Sequence, residues 1–126
     1  MTHLLDVDAL IALLSASHVH HARAKAFCTG KKLALCPISE LGFIRIGSHP
    51  AGLNLTMEDA RKTLGDFIRD EKPAFVPADA RALDGAVATT SGKTTDFYLA
   101  NLAAAHGLKL ATFDGGIKHR AAEVIG

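Results

Sequence analysis

Four acidic residues stand where a predicted strand ends or a predicted helix begins, and they are Asp6, Glu40, Asp96 and Asp114. In a parallel sheet the carboxyl ends of the strands share one edge, and ligands bind outside that edge. Helices that pack antiparallel to the strands begin at the same edge. We therefore expect the four carboxylates to lie together in one concavity.

Such a group of carboxylates suits a divalent cation. Like charges at close range cannot all stay ionised without a counter-charge, and a bound cation supplies one. Oxygen ligands with no cysteine or histidine at ligand spacing favour Mg²⁺ or Mn²⁺ over zinc. A metal-bound water loses its proton more easily and can attack phosphorus in line, so the predicted reaction is phosphodiester hydrolysis. Any one acid is equally explained as a helix cap or first-turn residue, so the prediction depends on the set.

The charge distribution is compatible with a polyanionic substrate. The chain carries 14 basic and 13 acidic side chains, for a net charge of +1. Setting the four site acids aside leaves nine acidic against 14 basic side chains, a surplus of five positive charges for the remaining surface. A surface of this kind attracts nucleic acid, although the surplus does not distinguish RNA from DNA.

The hydrophobic pattern alternates between strands and helices along the whole chain. Predicted strands cover residues 3–5, 33–36, 74–76, 108–113 and 123–125. Predicted helices cover residues 7–16, 20–28, 39–46, 57–71, an alanine-rich segment at 79–90, and a last helix from Thr94 or Thr95 to about His106. Ser39 and Thr56 are the expected caps of their helices. This alternation predicts a three-layer α/β/α sandwich around a parallel sheet of four to five strands.

Length and composition predict one domain over residues 1–126. A chain of 13.3 kDa buries roughly two-thirds of its unfolded surface, which is enough for one core. The longest apolar stretches, Ala9–Leu14 and Leu33–Cys36, fall far short of a membrane span, and the first six residues lack the pattern of a secretory signal. We therefore expect no membrane association, a cytoplasmic location, and reduced thiols at Cys28 and Cys36.

Four segments resemble those of a known family when they are taken together and in order. They are Leu4–Leu13, Cys36–Arg45, Thr95–Ala100 and His106–Asp114, and each contains one of the four acids. Their order and spacing resemble the PIN-domain nucleases and, within them, the VapC-type toxins of bacterial toxin–antitoxin pairs. No single segment is diagnostic, but all four in register are fairly specific.

The resemblance carries its own expectations. It implies a four- or five-stranded parallel sheet in an α/β/α sandwich, with Mg²⁺ or Mn²⁺ held by Asp6, Glu40, Asp96 and Asp114. It implies an endoribonuclease that cuts tRNA, rRNA or mRNA and forms a homodimer. It also implies a cognate VapB-type antitoxin that covers the cleft.

Three further residues have candidate roles beside the acids. Asp8 departs from the family, which more often has Ser, Thr or Asn two residues after the first acid, so it either supports the ligands, adds a fifth carboxylate or caps the first helix. By family analogy Thr112 would orient the carboxylate of Asp114, unless it is an ordinary strand residue. Arg45 would contact RNA phosphate, although a solvated or interface arginine explains it as well.

Two other functions fit parts of the sequence. Asp6 and Asp8 resemble the D-x-D start of haloacid-dehalogenase-like phosphatases, but Leu10 stands where that motif expects Thr or Val. A non-catalytic PIN-like binding module would keep the sheet, although it would be free to lose the acids. Ser91–Thr94 is similar to the end of a phosphate-binding loop, but Val87 occupies the position of its first glycine, so a polar loop is the better interpretation.

Overall fold

The computed structural model describes all 126 residues, whose five strands form one parallel sheet in the order β3-β2-β1-β4-β5. The strands are β1 Thr2–Leu5, β2 Lys32–Leu35, β3 Ala74–Phe75, β4 Lys109–Thr112 and β5 Ala122–Val124. The prediction of four to five parallel strands is confirmed. Because β1 lies in the centre of the sheet, the residue after it reaches the middle of the carboxyl edge.

Helices cover both faces of the sheet. They are α1 Val7–Leu14, α2 His21–Cys28, α3 Pro37–Gly47, α4 Met57–Glu71 and α5 Thr94–Ala105, with a 3-10 turn at Ser91–Lys93 before α5. Side chains of β1 alternate between the two layers: Leu4 packs in one buried cluster with Leu99 of α5, and Leu5 packs in another with Phe43 of α3. The predicted α/β/α sandwich is therefore confirmed.

None of these helices has both the length and the apolar character needed to cross a bilayer.

The helix predicted over residues 79–90 is wrong. The segment forms turns instead, and its large apolar side chains face solvent, with Leu83 95% and Val87 81% exposed. Short helices need a buried apolar face, and an alanine-rich composition does not replace it. Asn101 of α5 holds the segment in place: its amide donates to the carbonyls of Asp84 and Ala86, and its oxygen accepts from the N–H of Ala86.

Of the two predicted caps, one is confirmed and one is wrong. Thr56 caps α4, since its hydroxyl accepts from the N–H of Asp59 at 3.0 Å. Ser39 does not cap α3, which begins two residues earlier at Pro37, a residue whose fixed φ suits the first helical position. The buried hydroxyl of Ser39 instead donates to the carbonyl of Leu5 at 2.7 Å. This bond joins the first turn of α3 to the carboxyl end of β1.

Two helical glycines predict opposite effects of the same substitution. A Cβ at Gly42 of α3 would lie 2.5 Å and 2.9 Å from the two methyl groups of Val7 in α1, whereas a Cβ at Gly65 of α4 would meet nothing within 4 Å. Gly42→Ala should lower the free energy of unfolding by about 1–3 kcal/mol because Val7 is stiff and buried contacts must shift. Gly65→Ala should raise it by roughly 0.5–1 kcal/mol through helix propensity. Urea denaturation measures both, and equal effects would contradict the tight α1–α3 contact.

Candidate active site

Asp6 lies directly after β1 and caps α1 from the middle of the carboxyl edge. Its Oδ1 accepts from the N–H of Ala9 at 2.7 Å, and its own N–H donates to the carbonyl of Ala111 in the neighbouring strand. The residue is only 2% exposed. A neutral Asn or Ser would cap the helix equally well, so the buried charge is not needed for the fold.

The pKa of Asp6 is raised from 3.8 to about 7. Burial is the main cause; hydrogen bonds with the Thr112 side chain and the Ala9 backbone act in the opposite direction, and the charges of Asp96 and Asp8 add to the rise. The pKa of Asp96, in the first turn of α5, is also raised, first by burial and then by the charges of Asp8 and Asp114. The carboxylates of Asp6, Asp8, Asp96 and Asp114 therefore act on one another through their charges, whereas Glu40, the remaining acid of the predicted set, is not part of this group.

Glu40 lies in the first turn of α3, at the same edge of the sheet. Burial raises its pKa, and no charge of another acid contributes to that rise. Its position follows from the way α3 is attached, since Ser39 beside it bonds to the end of β1. The structure thus brings Glu40 to the predicted edge but outside the group of acids that repel one another.

Asp114 follows β4 and is paired with a lysine. Its Oδ2 accepts from Nζ of Lys93 at 2.6 Å, and its Oδ1 accepts from the N–H of Gly116 at 2.8 Å. The Lys93 ammonium and, after it, the Gly116 N–H hold the pKa of Asp114 below its usual value. Sequence reasoning missed Lys93. Its spacing, three residues before Asp96 at the start of α5, places it near a site acid but does not reveal its contact with Asp114.

Thr112 and Arg45 occupy different surroundings. Thr112 is fully buried; its hydroxyl accepts from the backbone N–H of Asp114 at 3.1 Å, and its side chain opposes the rise in the pKa of Asp6. It therefore contacts the Asp114 backbone rather than the carboxylate that it was predicted to orient. Arg45 is exposed in the last turn of α3, and its contact with RNA stays a prediction.

The residues at the edge fit a hydrated divalent ion better than a closed cage. No group of three or more His, Cys, Asp and Glu side chains is close enough to enclose a metal ion. Mg²⁺, however, keeps several waters and is commonly held by one or two carboxylates. Asp6 and Asp96 supply carboxylate oxygens, which are hard ligands. Asp6 is buried and Asp96 half-buried, and the charge of Asp96 raises the pKa of Asp6. A cation between the two carboxylates would therefore relieve an unfavourable negative charge.

Comparisons with known proteins identify the family. The family model of the PIN domain matches residues 3–123. The chain belongs to the PIN-domain family. It is 36% identical to Ribonuclease VapC38 of Mycobacterium tuberculosis over 121 residues, covering 90% of this chain and 86% of that protein. It is 35% identical to Ribonuclease VapC44 of the same species over 126 residues, covering 93% and 89% of the two chains.

A solved structure supports the fold independently. The crystal structure of VapBC2 from Rickettsia felis bound to a DNA fragment from their promoter contains a chain that superposes with a TM-score of 0.65 at 11% identity, covering 100% of both chains. The family model and the VapC relatives, together with this fold, confirm the resemblance to VapC-type proteins. The PIN family match over residues 3–123 also decides against the phosphatase alternative that Asp6 and Asp8 left open, and the matched relatives bear the names of enzymes rather than of binding modules.

Because burial of the Asp6 charge is unfavourable, replacing Asp6 with a neutral residue should stabilise the fold. A folded-state pKa above the ordinary value means that the free energy of unfolding falls as pH rises from about 4 through 7, because the folded protein holds the proton more tightly. Asp6→Asn keeps a side-chain oxygen that can cap α1, and it removes the titrating group that lowers the free energy of unfolding as pH rises. Without divalent ions the variant should gain up to roughly 4 kcal/mol at pH 8 and nearly nothing at pH 4, measured by urea denaturation.

Asp59→Asn is the matched control, since Asp59 is an exposed acid in the first turn of α4, away from the site. It should change the free energy of unfolding by less than about 0.5 kcal/mol at either pH. If Asp6→Asn instead lost stability at pH 8, burial of the ionised Asp6 carboxylate would not be destabilising, and the prediction would be wrong.

Proposed function

We propose that this PIN domain is a Mg²⁺- or Mn²⁺-dependent endoribonuclease and acts as the toxin of a VapBC-type toxin–antitoxin pair. One observation supports this most strongly: Asp6 is buried at the centre of the carboxyl edge, where burial and the charges of Asp96 and Asp8 raise its pKa to about 7. A fold does not need such a charge, but a cation site does. RNA, rather than DNA, is proposed from the names of the relatives.

The catalytic roles follow from burial and charge. Asp6 and Asp96 would hold the cation, and the exposed carboxylate of Asp8 would add negative charge beside them. The bound cation supplies a Lewis acid and an activated water. Glu40 has a raised proton affinity because of its burial, so it is the group suited to accept a proton from the attacking water. Asp114 belongs to the same site and is held by Lys93.

The proposed chemistry fixes the products. Water attacks phosphorus, a new P–O bond forms, and the bond to the 3′-oxygen breaks as that oxygen takes up a proton. The RNA fragments then carry a 5′-phosphate and a 3′-hydroxyl. Attack by the RNA 2′-hydroxyl would instead leave a cyclic phosphate, so the ends of the products distinguish the two mechanisms.

The partners are proposed from the relatives. The names of the relatives, Ribonuclease VapC and VapBC2, support an RNA substrate and a cognate VapB-type antitoxin. The resemblance to VapC-type toxins is the ground for proposing tRNA, rRNA or mRNA as the substrate, a cytoplasmic location, a homodimer, and an antitoxin that covers the acidic edge, the group of Asp6, Asp8, Asp96 and Asp114. Arg45, exposed on α3, is the proposed contact for RNA phosphate.

Cleavage of RNA by the purified chain tests the function. Asp96→Asn should lower the rate of RNA cleavage by about 10²-fold or more, because it removes one of the two carboxylates proposed to hold the cation. The same loss is expected for the unsubstituted chain in EDTA, with recovery on adding Mg²⁺ or Mn²⁺. Gel analysis of labelled RNA measures the rate, and Asp59→Asn should cleave normally.

Circular dichroism must show that Asp96→Asn keeps its fold. Cleavage that persists in EDTA would refute the metal-dependent mechanism. Products ending in a 2′,3′-cyclic phosphate would refute attack by water.

A further inference from the structure

The mechanism described above places the ion pair of Lys93 and Asp114 in the site without giving it a catalytic step. It lies at the acidic edge, where Nζ of Lys93 is 2.6 Å from Oδ2 of Asp114, with the two side chains 32% and 38% exposed. It is more enclosed than the pairs on α4, where Lys62 and Arg69 are 71% and 68% exposed. Its position inside the acidic group sets it apart from those surface pairs.

The surrounding backbone is fitted to this pair. The second oxygen of Asp114 accepts from the N–H of Gly116. A Cβ at Gly116 would lie 3.0 Å from that oxygen and 3.1 Å from Nζ of Lys93, so a side chain there would press on both partners. Lys93 itself ends the 3-10 turn, with its N–H bonded to the carbonyl of Thr90. Both charges are therefore held by local structure at the positions where they meet.

The charge of Lys93 compensates one side of the acidic edge and leaves the other side uncompensated. Asp114 is neutralised directly, and Lys93 also acts on Asp96, against the burial and carboxylate repulsion that dominate there. Asp6 is influenced by the charges of Asp96 and Asp8, with no contribution from a lysine. The side of Asp6 thus lacks a counter-charge, whereas the side of Asp114 already has one.

We propose that Lys93 takes the place of a second divalent cation, so that this chain binds a single ion on the side of Asp6 and Asp96. The inference rests on the proposed metal-dependent function and adds the number of ions to it. A second ion would have to displace an ammonium already in contact with Asp114. It would also lie close to the first ion, where two dications repel each other without additional anionic ligands.

Direct Mn²⁺ binding tests the proposal without relying on activity. Isothermal titration and electron paramagnetic resonance of free Mn²⁺ give the number of ions bound by the full chain. The unsubstituted protein should bind one equivalent, and Lys93→Gln should bind a second one at least about tenfold more tightly than the unsubstituted protein can. Lys93→Gln combined with Asp114→Asn should return to one equivalent, because the freed carboxylate is then lost.

Two controls separate charge from structure. Lys93→Arg keeps the positive charge and should stay at one equivalent. Lys118→Gln removes a lysine whose Nζ contacts the carbonyl of Gly115 in the same turn, 3.2 Å away, without touching a carboxylate. It should bind Mn²⁺ as the unsubstituted protein does.

Two equivalents in the unsubstituted protein would overturn the proposal and leave the metal-dependent nuclease intact. One equivalent of unchanged affinity in a folded Lys93→Gln would overturn it too, since Lys93 would then exclude nothing. The absence of Mn²⁺ binding in the unsubstituted protein would overturn both this inference and the metal-dependent function.

Discussion

The buried carboxylate of Asp6 is the constraint on which the site depends. It stands at the end of the central strand, caps α1 and is almost fully removed from water. Desolvation of a charge is unfavourable unless a partner compensates it, and here the nearest charges are themselves negative. The fold retains this unfavourable buried carboxylate at a position where a neutral side chain could cap α1. Such a cost is expected where a cation binds.

The sheet topology explains why the other acids reach the same edge of the sheet as Asp6. Because β1 is flanked by β2 and β4, the segments that follow these strands reach the edge on either side of it. Glu40 lies on α3, which the Ser39 hydroxyl joins to β1, and Asp114 lies two residues after the end of β4. Asp96 lies in the first turn of α5, the helix that precedes β4. Residues far apart in sequence therefore meet through strand order, with no local motif.

The sequence predicts the position of a site residue where that position follows from the pattern of strands and helices. Asp6 and Asp114 were placed correctly because each directly follows a short apolar strand. The segment at 79–90 was misjudged because helix propensity was counted without a buried face, and the side chain that holds it, Asn101, is fifteen or more residues away. Lys93 was missed for a related reason. Its role depends on a tertiary contact with Asp114, and spacing alone does not reveal that contact.

The charges at the edge also bear on the order of binding under the proposed function. A polyanion that approaches Asp6, Asp8 and Asp96 meets repulsion, since Lys93 compensates chiefly Asp114. Under the proposed function, a divalent ion beside Asp6 would reverse the local sign of the charge, so the ion and RNA would each favour the other's binding at this edge. The positive surplus elsewhere would attract RNA to the protein, and the ion would then determine whether the phosphate reaches Asp6. Lys93 would compensate the charge of Asp114 without a further ion.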